Sequence, residues 1–369
     1  MTKRDIGREI EENKPFLHDF FRRGREFLGV PVPVICGAMT WVSDHQLVGA
    51  ISNLGGFGQL AGGNAPVEAL QQEIIATRKM TSQPFGVNLI TVAPNYQNHL
   101  SMVCEMGLEV VVFAGAIPKA KEIQRAKDSG AKVICFASTK ALALRLIGHG
   151  ADALILEGSE AGGHIGPVAL NVLLQQILFT IDSVPIFTAG GIATGRMMAH
   201  LLMMGAAGVQ MGTRFVMAEE CSAHGAFKTA FKKARARDAT ATPQFDSRLP
   251  VIPVRALKNA SSKAFGKLQI ELLMALDAGR IDQEAAQFEV ERFWMGGLRR
   301  AVVDGDVDQG SLMAGQSVGL VSRIEPLRQI MTELLDDAEK ALAATNDKML
   351  RVLRGRPRVR TEEHQETSW

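Results

Sequence analysis

The hydrophobic residues of the chain are grouped into short continuous runs that alternate with segments of helical spacing. Continuous apolar runs are typical of parallel strands buried on both faces, and the segments between them predict crossover helices. Segments such as PKAKEIQRAKDSG and TKALALRLIGHG show this helical spacing. The runs that predict strands are residues 32–39, 57–63, 84–91, 109–116, 132–139, 153–158, 184–191 and 208–215.

Eight strand–helix units in succession predict an α/β fold of the (β/α)8, or TIM barrel, class. An open doubly wound sheet is the alternative interpretation, although such a sheet usually has fewer strands. Residues 5–27 are amphipathic, so they either cap the bottom of the barrel or pack on a partner subunit. The charged residues 355–369 are expected to be disordered.

Composition narrows the class of protein. Apolar residues make up 46% of the 369 residues, which allows a sizeable core, and the net charge of +2 argues against nucleic-acid binding. The four cysteines are widely spaced without a CxxC pair, which argues against a disulfide framework, a zinc ribbon or an iron–sulfur cluster; no metal is expected. Since there is no apolar leader and no run of roughly 18 apolar residues, we expect a soluble cytoplasmic protein that does not bind membranes.

The predicted strand ends are rich in glycine, which lets backbone approach a ligand closely. Active sites of TIM barrels lie at these ends, and the loops after the last two strands are where such barrels most often bind phosphate. Thr194 is a plausible N-cap of the helix after the seventh run. Tight turns would explain the same glycines, and the phosphate could belong to FMN or to a sugar phosphate. The phosphate candidates are Gly190, Gly191, Gly212 and Thr213.

One histidine lies in a glycine-rich stretch, LEGSEAGGHIGP, directly after the sixth run. His164 should therefore face the barrel mouth, where an imidazole can donate or relay a proton near neutral pH. A hydrogen bond from this ring to a loop carbonyl is the structural alternative. The position at a strand end favours the catalytic interpretation, and the other seven histidines lack comparable settings.

Several longer stretches resemble the nitronate monooxygenase / 2-nitropropane dioxygenase superfamily of FMN barrels, and within it the flavin-type enoyl-[acyl-carrier-protein] reductases. They cover roughly residues 31–325. The stretches are VICGAMTWVSDHQLVGAISNLGGFGQLAGGNAP, PFGVNLIT, EGSEAGGHIG, AGGIATG, GVQMGTRFVMAEECSAH and GDVDQGSLMAGQSVGLV.

The resemblance implies a role for particular residues of this chain. His164 would be the catalytic histidine beside the flavin. Gly37, Ala38 and Met39 would touch the flavin ring system, and Asn88 and Glu157 would hydrogen-bond the flavin or its ribityl chain. The remaining implied FMN-binding residues lie along the flavin, around its phosphate, or in the late motif MAGQS, residues 313–317, which would close the pocket. They are Gly162, Gly163, Gly190, Gly191, Gln210, Gly212, Thr213, Gly315 and Gln316.

The resemblance also implies a helical insertion, residues 224–300, that covers the flavin as a lid. The barrel would then comprise residues 1–223 and 301–354. One interpretation of a basic stretch in the insertion is a contact with acyl carrier protein, and a solvated helix face is the other. Apolar insertion helices could support a homodimer. The basic stretch consists of Lys228, Lys232, Lys233, Arg235 and Arg237.

Three activities fit the resemblance. The first is reduction of an enoyl thioester by FMN with NADH or NADPH as transient reductant; no GxGxxG fingerprint for a resident dinucleotide is present. The second is oxidation of alkyl nitronates with O2. Nitronate monooxygenases of the best-defined class carry tyrosines near the late motif, whereas the single tyrosine of this chain, Tyr96, lies far from it, which weakens this interpretation. The third is NAD(P)H:quinone reduction. Two other classes of protein are disfavoured. A sugar-phosphate isomerase or aldolase on the same barrel would usually need a lysine or an acid pair at the strand ends. A non-enzymatic scaffold would not need glycine at every strand end.

Overall fold

A computed structural model describes residues 3–63, 65–249 and 253–354. Its strands match the eight predicted runs and add three short strands elsewhere. In chain order the strands are β1 (Val34–Cys36), β2 (Phe57–Ala61), β3 (Phe85–Ile90), β4 (Val110–Ala114), β5 (Lys132–Ala137), β6 (Ala153–Glu157), β7 (Gly163–His164), β8 (Ile186–Ala189), β9 (Gly208–Met211), β10 (Ala239–Ala241) and β11 (Val254–Leu257).

Eight parallel strands close into a barrel in the order β1-β2-β3-β4-β5-β6-β8-β9. Closure is made by β9, which pairs with β1 so that Ile35 lies opposite Gln210. The predicted TIM barrel is confirmed, and the open-sheet alternative is wrong. The eighth predicted run overshoots, because its last residues turn at Gly212 into a short helix instead of continuing the strand.

The crossover helices begin at recognisable caps. The carboxylate of Asp44 accepts hydrogen bonds from the N–H groups of Gln46 and Leu47, and the Thr194 hydroxyl accepts one from Met197 N at 3.3 Å. The predicted N-cap at Thr194 is therefore confirmed. The helices of the barrel are α4 (His45–Asn53), α5 (Val67–Met80), α6 (Tyr96–Glu105), α7 (Ala120–Asp128), α8 (Lys140–Gly148), α9 (Leu170–Leu173), α10 (Gly195–Met203) and α11 (Thr213–Val216).

The N-terminal segment forms three helices, α1 (Lys3–Asn13), α2 (Pro15–Phe20) and α3 (Arg22–Leu28). Phe27 packs on Phe187 with ring centroids 6.1 Å apart, so α3 closes the end of the barrel opposite the strand carboxyl ends. Of the two alternatives for this segment, the structure shows the cap on the barrel bottom.

A long final helix, α15 (Leu327–Arg354), lies along α10 and α2. Gly195 allows this close approach, because a Cβ there would lie 2.0 Å from the carbonyl oxygen of Leu334. The Lys14 ammonium and the Asp336 carboxylate join α15 to the N-terminal helices as an ion pair. The predicted disordered tail, residues 355–369, lies outside the described residues.

After β9 and α11 the chain forms α12 (Gly225–Lys233), β10, β11, α13 (Ala260–Asp277) and α14 (Gln283–Val302). Strands β10, β11 and β7 make a small sheet outside the barrel. Phe227 and Phe231 of α12 are buried in the main core around the barrel, whereas Phe265, Val290 and Trp294 form a separate cluster. The hydrophobic residues thus give α13 and most of α14 a core of their own, while α12 and the last residues of α14, Ala301 and Val302, pack in the main core.

Candidate active site

The carboxyl ends of the barrel strands surround a cavity of about 490 Å³. The polar group predicted to be catalytic, His164, lies on its wall, and so does every predicted cofactor-binding residue except Gln316. Gln316 is the residue after Gly315. Its N–H donates to the carbonyl of Glu160 at 2.9 Å, and this hydrogen bond anchors the late segment. The residues that reach the wall are Gly37, Ala38, Met39, Asn88, Glu157, Gly162, Gly163, Gly190, Gly191, Gln210, Gly212, Thr213 and Gly315.

Polar side chains at the strand ends form the floor of the cavity. Gln210 Oε1 is buried without a hydrogen-bond partner among the described residues. Glu157 lies at the end of β6, and burial raises the pKa of its carboxyl to about 8. Unpaired buried polar atoms are costly, so this layer is suited to a polar ligand.

The loops after β8 and β9 offer free backbone donors. Gly190 and Gly191 have φ angles of 97° and 71°, in the left-handed region that favours glycine. Within the described ranges, the N–H groups of Gly190, Gly191, Gly212 and Thr213 donate to no other residue. Four unused N–H groups in these two loops could accept an anion, and phosphate binding by these residues stays a prediction.

Close packing explains the glycines that precede His164. A Cβ on Gly158 would lie 2.6 Å from the backbone nitrogen of Leu170, and one on Gly162 would lie 2.6 Å from that of Gly315. Gly163 has a φ of 77°. The loop is therefore clamped between α9 and the late motif, and its glycines serve that clamp as well as the cavity wall.

His164 is held by the insertion from two directions. Its backbone lies opposite Val254 in the pairing of β7 with β11, and its Nε2 lies 3.2 Å from Oε1 of Glu291 on α14. Its side chain is 35% exposed and that of Glu291 is 27% exposed, so the pair is partly shielded from solvent at the cavity wall. An imidazole oriented by a carboxylate is the arrangement that enzymes use to hold and transfer a proton.

Arg255 fastens the same sheet to the loop before His164. Its Nε donates to the carbonyl of Ser159 at 2.9 Å, and one guanidinium nitrogen donates to the carbonyl of Ala239 at 2.7 Å. Desolvation lowers the pKa of Arg255. Trp294 and Met313 complete the cavity wall on the side of the insertion.

The basic stretch of the insertion is not a uniform surface. Lys228 is 7% exposed, and its Nζ donates to the carbonyl of Ala218 at 2.7 Å, so it is a structural residue of α12. The expectation that all five basic residues are surface groups is therefore wrong for Lys228, because α12 packs on the barrel. The exposed members are Lys232, Lys233, Arg235 and Arg237.

Comparison with known proteins places this geometry in a family. Residues 23–99 and 90–337 match the model of the nitronate monooxygenase family. The chain belongs to the nitronate monooxygenase family. It is 30% identical over 344 residues to the (3aS,4S,5R,7aS)-5-hydroxy-7a-methyl-1-oxo-octahydro-1H-indene-4-carboxyl-CoA dehydrogenase of Rhodococcus jostii, with 86% of this chain and 96% of that protein covered.

Solved structures of the nitronate monooxygenase family superpose over most of the chain. FabK from Thermotoga maritima is 35% identical, covers 89% of this chain and 98% of its own, and has a TM-score of 0.78. A nitroalkane oxidase from Streptomyces ansochromogenes is 26% identical, covers 86% of this chain and 98% of its own, and has a TM-score of 0.72. Together with the family match, these similarities make the chain an FMN-dependent oxidoreductase.

The residues present fit FMN. The unused N–H groups of the β8 and β9 loops suit its phosphate, and the unpaired amide oxygen of Gln210 with the carboxyl of Glu157 suits its polar ring edge or ribityl chain. Gly37 lets the backbone of the first strand end pack closely on Gln210, because a Cβ there would lie 3.2 Å from the Gln210 side chain. Among the described residues no group of three or more metal-ligating side chains is found, and none of the helices is long and apolar enough to cross a bilayer.

Sequence reasoning missed two residues of this site. Glu291 and Trp294 lie in a helix whose sequence, QEAAQFEVERFW, reads as an ordinary amphipathic helix far along the chain. Tyr96 packs edge-on against Phe113, with centroids 6.3 Å apart, and does not line the cavity.

Proposed function

We propose that the chain is a cytoplasmic enzyme that uses NADH or NADPH to reduce the 2,3 double bond of an enoyl thioester, carried by coenzyme A or by acyl carrier protein. The observation that carries this proposal is the His164–Glu291 pair on the wall of the flavin cavity. This pair would supply the proton donor that the reduction needs.

Similarity supports the class of substrate. FabK is a flavin-type enoyl-[acyl-carrier-protein] reductase, and the Rhodococcus relative acts on a carboxyl-CoA. Both substrates are acyl thioesters, although their acyl groups differ. An acyl thioester is therefore the substrate class that we carry over to this chain.

The residues of the chain account for the proton side of the reaction. The chemistry that FMN supplies when bound is hydride transfer, from a nicotinamide and on to the β-carbon of the enoyl group. Hydride addition leaves an enolate, and the α-carbon must then gain a proton. Glu291 accepts a hydrogen bond from Nε2 of His164, so Nδ1 is the ring nitrogen left to hold that proton. No described residue is a hydrogen-bond partner of Nδ1.

The insertion would act as a lid that excludes water. Trp294, Met295 and Leu298 of α14 present large apolar groups to the cavity opposite the barrel strands. Excluding water would limit unproductive proton exchange at the active site. An acidic carrier protein would then approach the side of the lid that carries the exposed basic residues of the 224–300 segment.

Oxidation of a nitronate is the second candidate, favoured by the family match and by the similarity to the nitroalkane oxidase. Quinone reduction is a third outcome of the same flavin chemistry. Incubation in D2O with NADPH and a short enoyl-CoA distinguishes them. Our proposal requires a saturated thioester with deuterium at the α-carbon, formed much more slowly by His164→Ala. Release of nitrite from a nitronate, with no turnover of the enoyl-CoA, would overturn it.

A further inference from the structure

A second cavity, of about 600 Å³, lies in the insertion on the far side of Trp294. Its wall is formed by β10, the end of β11, the start of α13 and Ser311 of the late segment. Trp294 also lines the flavin cavity, so the two cavities share this residue in their walls.

Three polar atoms on residues of this wall are buried without a hydrogen-bond partner among the described residues. They are the hydroxyls of Ser261 and Ser311 and Nε1 of Trp294. Their residues are only 2%, 1% and 2% exposed. Buried donors are normally paired, and leaving each unpaired is costly, so three on one wall indicate a partner that the chain itself does not supply.

The charges around the cavity favour an anion. Lys258 and Lys263 line it, and no carboxylate does. Both lysines are exposed, and they flank the N-terminus of α13, a helix of 18 residues whose dipole also favours negative charge.

The N–H groups of this helix start are already engaged. Ser261 N donates to the carbonyl of Asp308 at 3.3 Å, and Ser262 N donates to Oδ1 of Asn259 at 3.2 Å. The ligand would therefore be bound by the free hydroxyls, the indole N–H and the two ammonium groups. Five donors with no acceptor carboxylate suit a phosphoryl group.

The rest of the wall suits a chain that is largely apolar. Ala241, Pro243 and Ala256 present small apolar surfaces beside the polar cluster. The aromatic ring of Trp294 stacks on Phe265 with centroids 4.3 Å apart, so its position is fixed. A phosphate ester on a flexible arm fits this combination better than a free phosphate, which would leave the apolar wall bare.

We propose that this second cavity binds the phosphorylated end of the cosubstrate whose reactive end enters the flavin cavity. The shared chemistry is a phosphate ester, and its source is either the phosphopantetheine arm of the acyl thioester or the diphosphate of the nicotinamide dinucleotide. The inference rests on the proposed function, because that function supplies both sources. Binding itself can be measured with fragments that do not react.

The test is titration calorimetry on the FMN-loaded full chain with two matched pairs of fragments. The pairs are 4′-phosphopantetheine against pantetheine, and ADP-ribose against adenosine. In one of the two pairs we expect the phosphorylated fragment to bind about tenfold more tightly than the fragment without phosphate. A tenfold difference is what roughly one charge-assisted hydrogen bond contributes. The pair that shows the difference identifies the source. Equal binding within both pairs would overturn the proposal.

Variants locate the binding. Lys258→Ala combined with Lys263→Ala should weaken the phosphorylated fragment about tenfold. Lys267→Ala is the matched control, because this exposed lysine lies on the same helix but not on the cavity wall. Equal effects of the double variant and the control would contradict the site.

Ser311→Ala separates binding from folding. Since the hydroxyl has no partner among the described residues, its loss should leave the Tm unchanged or raise it, while the phosphorylated fragment binds more weakly. A fall in Tm with unchanged binding would assign the hydroxyl to stability and remove it from the site.

If the fragments bind as expected but no enoyl thioester is reduced, the cavity stands and the proposed function fails. If the enoyl thioester is reduced but neither phosphorylated fragment binds more tightly, the proposed function stands and the cavity fails.

Discussion

Nε2 of His164 lies 3.2 Å from Oε1 of Glu291, a residue 127 positions further along the chain. The histidine belongs to the loop after a barrel strand, and the carboxylate belongs to an insertion helix. The proposed proton-handling pair is therefore assembled across two parts of the fold, and its geometry depends on where the insertion helix lies.

This pair predicts graded effects on turnover. His164→Ala should lower turnover of the enoyl thioester by about 10²–10⁴-fold, the usual contribution of a general acid, with FMN content unchanged. Glu291→Gln should lower kcat by about tenfold and leave KM nearly unchanged, because it orients the imidazole without touching substrate. Steady-state kinetics check both. Full activity of His164→Ala would rule out the acid role, and failure of Glu291→Asp to recover activity would argue against a positioning carboxylate.

The glycine loops predict where FMN is held. Gly191→Leu and Gly212→Leu should each reduce the flavin retained after gel filtration, measured as flavin absorbance per protein. Gly191 has a φ of 71°, and a Cβ on Gly212 would lie 3.2 Å from Met39 Sδ. Gly205→Leu is the control: its φ of 109° makes the same kind of strain, roughly 1–2 kcal/mol, in open space away from the cavity. Equal flavin in all three variants would show that the phosphate lies elsewhere.

Glu157 predicts a pH dependence of stability. Its pKa is raised to about 8, so the folded chain binds a proton there that the unfolded chain has released above a pH of about 4.5. Stability contributed by this group is therefore present at low pH and lost as the pH rises towards 8, by up to about 1.4 kcal/mol per pH unit. Thermal unfolding of FMN-free protein at several pH values measures it. Glu157→Gln should flatten the decline; an identical pH profile in the variant would exclude this carboxyl as its cause.

Helix packing predicts opposite signs for two glycine substitutions. Gly195→Ala should destabilise the fold by about 1–3 kcal/mol, because its Cβ would lie 2.0 Å from the carbonyl of Leu334. Gly296→Ala, inside α14, meets only the flexible end of Arg300 at 3.6 Å and should stabilise by about 0.5–1 kcal/mol. Denaturant unfolding of both variants checks the signs. A neutral Gly195→Ala would mean that α15 does not pack as described.

The barrel could be predicted because each strand is a continuous apolar run and each crossover is amphipathic, so local periodicity carries the topology. The cavity glycines could be found because they follow those runs directly. Glu291 and Trp294 could not, since their role depends on where a distant helix lies, and nothing in QEAAQFEVERFW specifies that position. Strands β10 and β11 were missed because their sequences, ATA and VRAL, include polar residues and form no continuous apolar run like those of the barrel strands.

The measurement that tests the central claim most directly is anaerobic stopped-flow spectroscopy of the flavin. NADH, NADPH or an alkyl nitronate is given as the only reductant, and an enoyl thioester or a quinone follows as the acceptor. We predict fast bleaching by a reduced nicotinamide and reoxidation by the enoyl thioester. Bleaching by the nitronate alone, with indifference to both nicotinamides, would contradict the account and assign the chain to nitronate oxidation.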